Sequence, residues 1–244
     1  MGSDLRESKS KMLGERIFKI SVNLVFLGCL YKIMLGDDCT FFDVRLGGKT
    51  SHPLYFYNHP CQMIPSSLDS FYLFKLGYHC YELIHTSLMD RKRSDFIEYL
   101  LHHFLTFTLI LFSYQLNYLP VGAAVMVLHD ITDMTASIFK LCVDVTPFSI
   151  QMLSYALMLV SWIYFRLWFF PVHVIARIYE ESQNWHGSPM NGNFVSMLST
   201  FLSVLFCMHV FWVYIMVKGL AKRLSKSDYK NHVSMQSSVN RGQW

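Results

Sequence analysis

Long apolar segments constrain this chain more than any other feature of its sequence. A transmembrane α-helix needs roughly 20 mostly apolar residues, and segments near that length recur along the 244 residues. They cover residues 17–35, 69–88, 97–115, 119–140, 148–170 and 195–217. Only 16% of all residues are charged, whereas a soluble domain carries about a quarter. The sequence therefore predicts an all-α polytopic membrane protein with about six transmembrane helices in a bundle or barrel.

Basic residues are distributed unevenly between the two predicted sides of the membrane. If residues 1–16 are a cytosolic segment, six crossings within residues 17–217 return residues 218–244 to the cytosol. The opposite side then holds only Arg45, Lys49 and Arg177 among the Lys and Arg residues. Because cytosolic loops are enriched in Lys and Arg, we expect both termini to be cytosolic. The polar, basic tail 218–244 is expected to be disordered, and no pattern indicates nucleic-acid binding.

The segment 36–68 is rich in glycine and proline and is predicted to be non-helical. It holds Cys39 and Cys61, which would face the oxidising lumen if the protein resides in the endoplasmic reticulum. A disulfide between them and two free thiols both remain open. The six cysteines form no C-x-x-C pair, which argues against a zinc ribbon or a redox motif.

Two neighbouring apolar segments carry ionisable residues that a lipid-facing helix would not tolerate. These residues are His102, His103, His129, Asp130 and Asp133. The connection between the segments is short, and Pro120 suits a helix start, so an antiparallel hairpin is predicted. At about 1.5 Å of rise per residue, His102 then lies at the level of Asp133. Ionisable residues inside a membrane are functional-site candidates by default.

Polar side chains also follow one face of the segment 69–88, at spacings of four, three and three residues. They are Lys75, His79, Glu82 and His85. Polar faces on several lipid-embedded helices should converge, because a charge that faces hydrocarbon costs several kcal/mol. The pattern predicts a polar chamber that opens towards the cytosol. Arg166, in FRLWFFP, is expected to compensate the negative charge of nearby carboxylates or to contact a substrate.

The stretch HHFLTFTLILFSYQLNYLPVGAAVMVLHDITD resembles the signature of ceramide synthases, members of the TLC-domain family of endoplasmic-reticulum membrane proteins. The matching residues are His102, His103, Ser113, Asn117, Gly122, His129, Asp130, Asp133 and Lys140. Flanking pieces such as RKRSDFIEYLLHH and FRLWFFP extend the likeness over residues 57–171. Pro120 stands where the family often has a basic residue, and Ser137 where it often has Glu.

The resemblance implies transfer of an acyl group from acyl-CoA to the amine of a sphingoid base, which yields a ceramide. Acyl-CoA is then a co-substrate, and no metal or other cofactor is expected. The catalytic candidates are His102, His103, His129, Asp130 and Asp133. The candidates for substrate binding are Glu82, Arg91, Lys92, Arg93, Ser113, Asn117 and Arg166, with the basic run 91–93 placed to meet the phosphates of CoA. The expected partners are the lipid bilayer, acyl-CoA and a long-chain base. The sequence leaves open whether the protein forms a homodimer or a heterodimer.

Several alternatives remain open at this level. A histidine could act as a general base towards the amine, or it could attack the thioester and form an acyl-imidazole. Asp130 or Asp133 could orient an imidazole, as a carboxylate does in hydrolase triads. A metal oxidase is a rival, since His and carboxylates also bind iron or zinc. A non-enzymatic lipid sensor, transporter or trafficking protein is the other rival.

Overall fold

Helices make up nearly all of the structure. The computed structural model describes residues 2–36, 39, 41–51, 53, 55–56, 59, 61, 64–92, 95–183 and 189–225. The helices are α1 (Gly2–Met34), α2 (Ser66–Met89), α3 (Phe96–Gln115), α4 (Leu119–Val145), α5 (Phe148–Trp162), a π-helical segment (Ile163–Ile175), α6 (Ala176–Gln183) and α7 (Pro189–Ser225). Within the described ranges there is no strand. The prediction of an all-α polytopic membrane protein is confirmed.

Among the residues that the structure describes, five helical segments are long and apolar enough to cross a membrane. They are Met12–Met34, Phe96–Gln115, Leu119–Val145, Phe148–Glu181 and Asn193–Leu220. Each overlaps one of the predicted spans. The remaining predicted span, 69–88, lies in α2, whose 24 residues match the others in length but include Asp69, Lys75 and Glu82. The count of six crossings therefore stays a prediction.

The two terminal helices continue beyond the predicted spans. α1 begins at Gly2 and so includes residues 2–16 of the segment that we predict to be cytosolic. α7 extends to Ser225, into the tail for which we predict disorder. Lys and Arg are good helix formers, which allows a helix to run on past its apolar part. The rest of the tail, 226–244, lies outside the described residues.

The long helices form a ring that α4 closes by packing against α1 and α5. α1 packs against α2, α2 against α3, α3 against α7, and α7 against α5 and the π-helical segment. α4 contacts α1, α2, α3 and α5 as well as the π-helical segment. Of the five apolar spans, α4 is the most buried. Small residues at its start, Gly122, Ala123 and Ala124, allow neighbouring helices to approach closely.

The connection between α3 and α4 is a three-residue turn. Asn117 occupies it with φ of 57°, in the left-handed region that Asn adopts more readily than most residues. Pro120 follows in the first turn of α4, where its missing N–H leaves no hydrogen bond unmade. This local chemistry places the His-bearing face of α3 beside the Asp-bearing face of α4.

The segment between α1 and α2 folds over one end of the ring. Phe42 and Tyr55 are buried in it, and the Glu181 carboxylate of α6 accepts hydrogen bonds from the backbone N–H groups of Tyr55 and Phe56, at 3.2 and 2.9 Å. Cys39 is a free thiol and therefore forms no disulfide with Cys61. Burial raises the pKa of Cys39 to about 11, which keeps it protonated.

Gly122 permits a close approach of three helices. A Cβ atom at this position would lie 1.6 Å from Tyr72 Oη and 3.0 Å from Ser113 Oγ. Those two hydroxyls are buried and hydrogen-bonded to each other at 2.9 Å. Ser113 also donates to the carbonyl of Ile110 at 3.0 Å. A side chain at position 122 would therefore displace a packed, hydrogen-bonded tyrosine.

We expect Gly122→Ala to lower the free energy of unfolding by about 1–3 kcal/mol, the usual cost of overpacking a filled core. The thermal midpoint of the purified protein in detergent measures the change. Gly77→Ala is the matched control, because a Cβ there meets nothing within 4 Å. Adding Tyr72→Phe to Gly122→Ala should recover part of the loss. Equal midpoints for Gly122→Ala and Gly77→Ala would contradict the close approach.

Candidate active site in a polar cavity

A cavity of about 250 Å³ lies inside the ring and is lined by side chains from α1, α2, α3, α4, α5, α7 and the π-helical segment. Its charged lining residues are Lys19, Lys75, Glu82, Asp95, Asp130, Asp133, Lys140 and Arg166. His79, His102 and His103 line it as well. The helices thus bring residues far apart in sequence to one polar space.

A second, smaller cavity of about 60 Å³ adjoins the first. The two share His79, His102, Asp130 and Asp133 in their walls. His129 lines only the second cavity. Most other walls of this cavity are apolar, and they include Leu109, Ile110, Leu198, Leu202 and Leu205. A polar space therefore leads into an apolar one at the level of these shared residues.

The paired histidines of α3 face the cavity with unpaired nitrogens. Their ring centroids are 5.5 Å apart, and the His102 ring packs edge-on against Trp212. His103 is buried, and its Nε2 lies 3.9 Å from a carboxylate oxygen of Glu82. Among the described residues, neither ring nitrogen of His103 nor Nδ1 of His102 has a hydrogen-bond partner. Buried polar atoms are usually satisfied, so these unpaired nitrogens mark both rings as candidates for a functional role.

Asp130 is paired with a lysine of α2. Lys75 Nζ lies 2.6 Å from Asp130 Oδ1, and both residues are buried. The ammonium also lies 4.4 Å from the centre of the Phe26 ring of α1, a favourable cation–π contact. The other carboxylate oxygen of Asp130 has no partner among the described residues. Asp130 is thus held by Lys75 through one oxygen, and its other oxygen is buried without a partner.

Asp133 is paired with Arg166 of the π-helical segment. The buried guanidinium donates to Asp133 and, at 2.6 Å, to Thr132 Oγ1. It also lies over the Trp162 ring at 4.0 Å. π-Helical segments are rare and often occur at functional sites, and this one turns Arg166 inward. The expectation that Arg166 offsets nearby carboxylates matches this geometry.

His129 is contacted by a histidine that sequence reasoning missed. Its Nδ1 is 2.7 Å from the carbonyl of Val125, and its Nε2 is 3.2 Å from Nε2 of His209 on α7. His209 is fully buried. No spacing pattern marked it, and the only available signal was a single imidazole within a long apolar segment.

The other predicted binding residues have different positions. Ser113 lines the second cavity, and Asn117 forms the α3–α4 turn, outside the lining of both cavities. Arg91 and Lys92 are exposed and line neither cavity, and Arg91 donates to the carbonyl of Ser87 at 2.8 Å. Arg93 lies outside the described residues. Lys19 of α1 and Lys140 of α4 are the more exposed lysines in the cavity wall.

Comparison with known proteins assigns the family. The model of the TLC domain matches residues 17–218. The chain belongs to the TLC-domain family. Ceramide synthase 4 of Homo sapiens is 32% identical to it over 178 residues, which are 72% of this chain and 43% of that protein. Ceramide synthase LOH2 of Arabidopsis thaliana is 27% identical over 208 residues, 80% of this chain and 68% of that protein.

These relatives make the chain a ceramide synthase-like member of the TLC-domain family. Ceramide synthase 4 of Mus musculus adds 34% identity over 188 residues. This TLC-domain chain spans 44% of the length of the mouse protein and 59% of ceramide synthase hyl-2 of Caenorhabditis elegans.

Within the described residues, no group of three or more His, Cys, Asp or Glu side chains is arranged to hold a metal ion.

We expect Lys75→Met to lower the free energy of unfolding by about 3–5 kcal/mol, because it leaves Asp130 buried without its partner. Thermal midpoints in detergent test this. Arg177→Met is the control: it removes the more exposed pair with Glu180 and should cost less than about 1 kcal/mol. The double variant Lys75→Met/Asp130→Asn should recover much of the loss. A double variant no more stable than Lys75→Met would argue against the ion pair as the cause.

Proposed function

We propose that this protein transfers an acyl group from acyl-CoA to the amine of a sphingoid base and thereby forms a ceramide. The supporting observation is that His102 lies where a polar cavity meets an apolar one, with His103 beside it in the polar cavity, and that both rings have unpaired nitrogens. The thioester of acyl-CoA joins the polar CoA to an apolar acyl chain. Its two sides therefore suit the polar and the apolar cavity that meet at this junction. The names of the relatives support ceramide synthesis in general.

The amine enters the reaction as an ammonium ion and must lose a proton to become a nucleophile. The Glu82 carboxylate, 3.9 Å from His103 Nε2, attracts the ammonium ion, and His103 accepts its proton as a general base. The amine nitrogen then forms a bond to the thioester carbon, and the C–S bond breaks. The proton held by His103 goes to the departing thiolate, so CoA leaves as the thiol. The freed imidazole then takes the second proton from the former amine nitrogen, which leaves a neutral amide, and releases that proton to solvent.

His102 has the better position for contact with the acyl group, because it lines both cavities. In one route it donates a hydrogen bond to the developing oxyanion. In the other, its nitrogen first displaces the thiolate and forms an acyl-imidazole, which the amine then attacks. Both routes place the carbonyl carbon beside His102 and differ in whether a covalent intermediate accumulates.

The carboxylates of α4 act through their charge in this proposal. Asp130 and Asp133 are held by Lys75 and Arg166, so their positions are fixed before a substrate enters. Fixed charges stabilise a transition state without a cost of reorganisation. The unpaired Oδ2 of Asp130 can accept a hydrogen bond from a hydroxyl of the long-chain base.

Acyl-CoA enters from the cytosolic side in this proposal. Lys19 and Lys140 line the polar cavity and, in place of the run 91–93, are the candidates for contact with CoA phosphates. The acyl chain extends into the apolar cavity. We also propose residence in the endoplasmic reticulum, which the family supports, with both termini in the cytosol, which the distribution of basic residues supports.

His102→Ala and His103→Ala should each abolish N-acylation, since each removes an imidazole that contacts the reacting groups. The assay incubates purified protein in liposomes with a long-chain base and acyl-CoA, and mass spectrometry detects the amide. His85→Ala is the control: its side chain is 45% exposed and lines neither cavity. A thermal midpoint close to that of the unsubstituted protein establishes that each variant is folded.

Three outcomes would count against the proposal. Full activity in both histidine variants would eliminate the histidine mechanism. No amide with any acyl-CoA, together with saturable lipid binding, would favour a lipid sensor, transporter or trafficking protein. A stoichiometric transition metal in the purified protein would favour the metal-oxidase alternative.

Leu202 in the wall of the apolar cavity should influence acyl-chain length. It is buried, so Leu202→Phe reduces the space available and should shift the preference to shorter acyl-CoAs. Leu202→Ala enlarges the space and should shift it to longer ones. Competition among acyl-CoAs of different lengths measures the shift, with Leu153→Phe on the lipid-exposed face of α5 as control. An unchanged profile in both Leu202 variants would place the acyl chain elsewhere.

A further inference from the structure

His79 is a histidine of the cavity walls to which the proposed reaction gives no role. It lies on α2 and is one of four described residues that line both the polar and the apolar cavity. The other three are His102, Asp130 and Asp133. A side chain of α2 therefore reaches the junction at which the proposed reaction places the thioester.

Hydrogen-bond donors are scarce among the residues that line both cavities. Asp130 and Asp133 are paired with Lys75 and Arg166, and an ionised carboxylate can only accept hydrogen bonds. A carboxylate also repels a second negative charge. Of these four residues, only His79 and His102 can therefore stabilise a negative oxygen atom at the junction.

The burial of one ring nitrogen indicates which edge of His79 meets the cavities. Nδ1 is buried without a hydrogen-bond partner among the described residues, although the residue as a whole is only half-buried. The exposed part of the ring is therefore the edge that bears Nε2. A buried N–H group without a partner is rarer in proteins than a buried acceptor without one. In the neutral ring, the proton is therefore assigned to Nε2.

The surroundings of His79 favour the neutral ring. Protonation would add an N–H group at the buried, unpartnered Nδ1. Lys75, one helical turn earlier on the same face of α2, is already a cation paired with Asp130. Two neighbouring cations in an apolar bundle repel each other strongly. A neutral His79 with its N–H group at Nε2 is thus a hydrogen-bond donor that faces the junction.

We propose that His79 is a catalytic residue that donates a hydrogen bond from Nε2 to the carbonyl oxygen of the acyl group. That oxygen gains negative charge when a nucleophile adds to the carbonyl carbon, and it loses the charge when the C–S bond breaks. The N–H bond of His79 stays intact throughout, so no proton is transferred. When the amine adds directly, His102 is a second donor. When His102 itself forms the acyl-imidazole, His79 is the donor that remains.

The position of His79 is fixed before a substrate binds. Lys75 connects this part of α2 to Asp130 of α4 at 2.6 Å. Tyr78, next to His79, packs edge-on against Phe26 of α1, with ring centroids 5.0 Å apart. α2 is therefore held on both sides of the histidine. A donor fixed in this way stabilises a developing charge without a cost of reorganisation.

The kinetic test rests on the proposed function and compares two substitutions that differ in one donor. His79→Phe keeps the ring shape and removes the N–H group, whereas His79→Gln keeps an N–H donor near the position of Nε2. His79→Phe should lower kcat by about 100-fold, as expected for loss of one donor to an oxyanion. KM for acyl-CoA should stay within about threefold, since the lost interaction is made in the transition state. His79→Gln should retain most of kcat.

His85→Phe is the matched control, because it makes the same change on the same helix. The side chain of His85 is 45% exposed and lines neither cavity. This variant should match the unsubstituted protein in kcat and KM. The thermal midpoint in detergent establishes that each variant is folded. If His79→Phe does not fold, His79→Leu takes its place as the variant without a donor.

A spectroscopic test does not depend on turnover. It uses the ketone analogue of acyl-CoA, in which a methylene group replaces the thioester sulfur and the carbonyl carbon is ¹³C. This analogue cannot lose its leaving group, and a hydrogen bond to its carbonyl oxygen lowers the stretching frequency in the infrared. The frequency should be lower in the unsubstituted protein and in His79→Gln than in free analogue. In His79→Phe it should lie closer to the value of free analogue.

Three results would overturn the role of His79. They are an unchanged kcat in the variant without a donor, equal loss of kcat in that variant and in His79→Gln, and a carbonyl frequency that does not differ between the unsubstituted protein and the variant without a donor. If the unsubstituted protein makes no amide but lowers the frequency through His79, the proposed function fails and the hydrogen bond stands. No binding of the analogue to the unsubstituted protein would overturn both proposals.

Discussion

An ionised side chain inside a lipid-embedded bundle needs a partner of opposite charge, and the rest of this structure depends on how that need is met. Lys75 approaches Asp130 from α2, and Arg166 approaches Asp133 from the π-helical segment. Each pair crosses from α4 to a different neighbour, so the two pairs connect three parts of the ring. Loss of one partner leaves an uncompensated charge, which costs far more than a surface ion pair contributes. The positions of the charged residues in the cavity wall therefore depend on these two ion pairs.

Much of the fold and part of the candidate site could be predicted from sequence, because they depend on local quantities. The length of apolar runs located the helices. The rise per residue and the short turn at Asn117 placed His102 opposite Asp133 in depth, and the structure has both in one cavity wall. These inferences use one helix or one hairpin at a time, and no long-range packing enters them.

The features that could not be predicted depend on the rotation of helices that are distant in sequence. His209 has no polar neighbour at helical spacing, so nothing in α7 indicated that it faces His129. Arg91 belongs to a basic run that looked suited to phosphates, yet its side chain turns to the carbonyl of Ser87. Lys19 lines the cavity because α1 packs against α4, a contact between the first and fourth long helices that no local pattern encodes.

The π-helical segment Ile163–Ile175 has a consequence for comparison with relatives. Its wider turn changes which residues face inward, so a pattern based on 3.6 residues per turn gives the wrong face after Trp162. The segment continues directly into α6, and conversion of a π-turn to an α-turn removes one residue per hydrogen-bonded ring. A relative that is one residue shorter in this region can therefore keep both flanking helices in place by tightening a turn. Alignments of such relatives should permit a gap inside this helix, where a gap is normally forbidden.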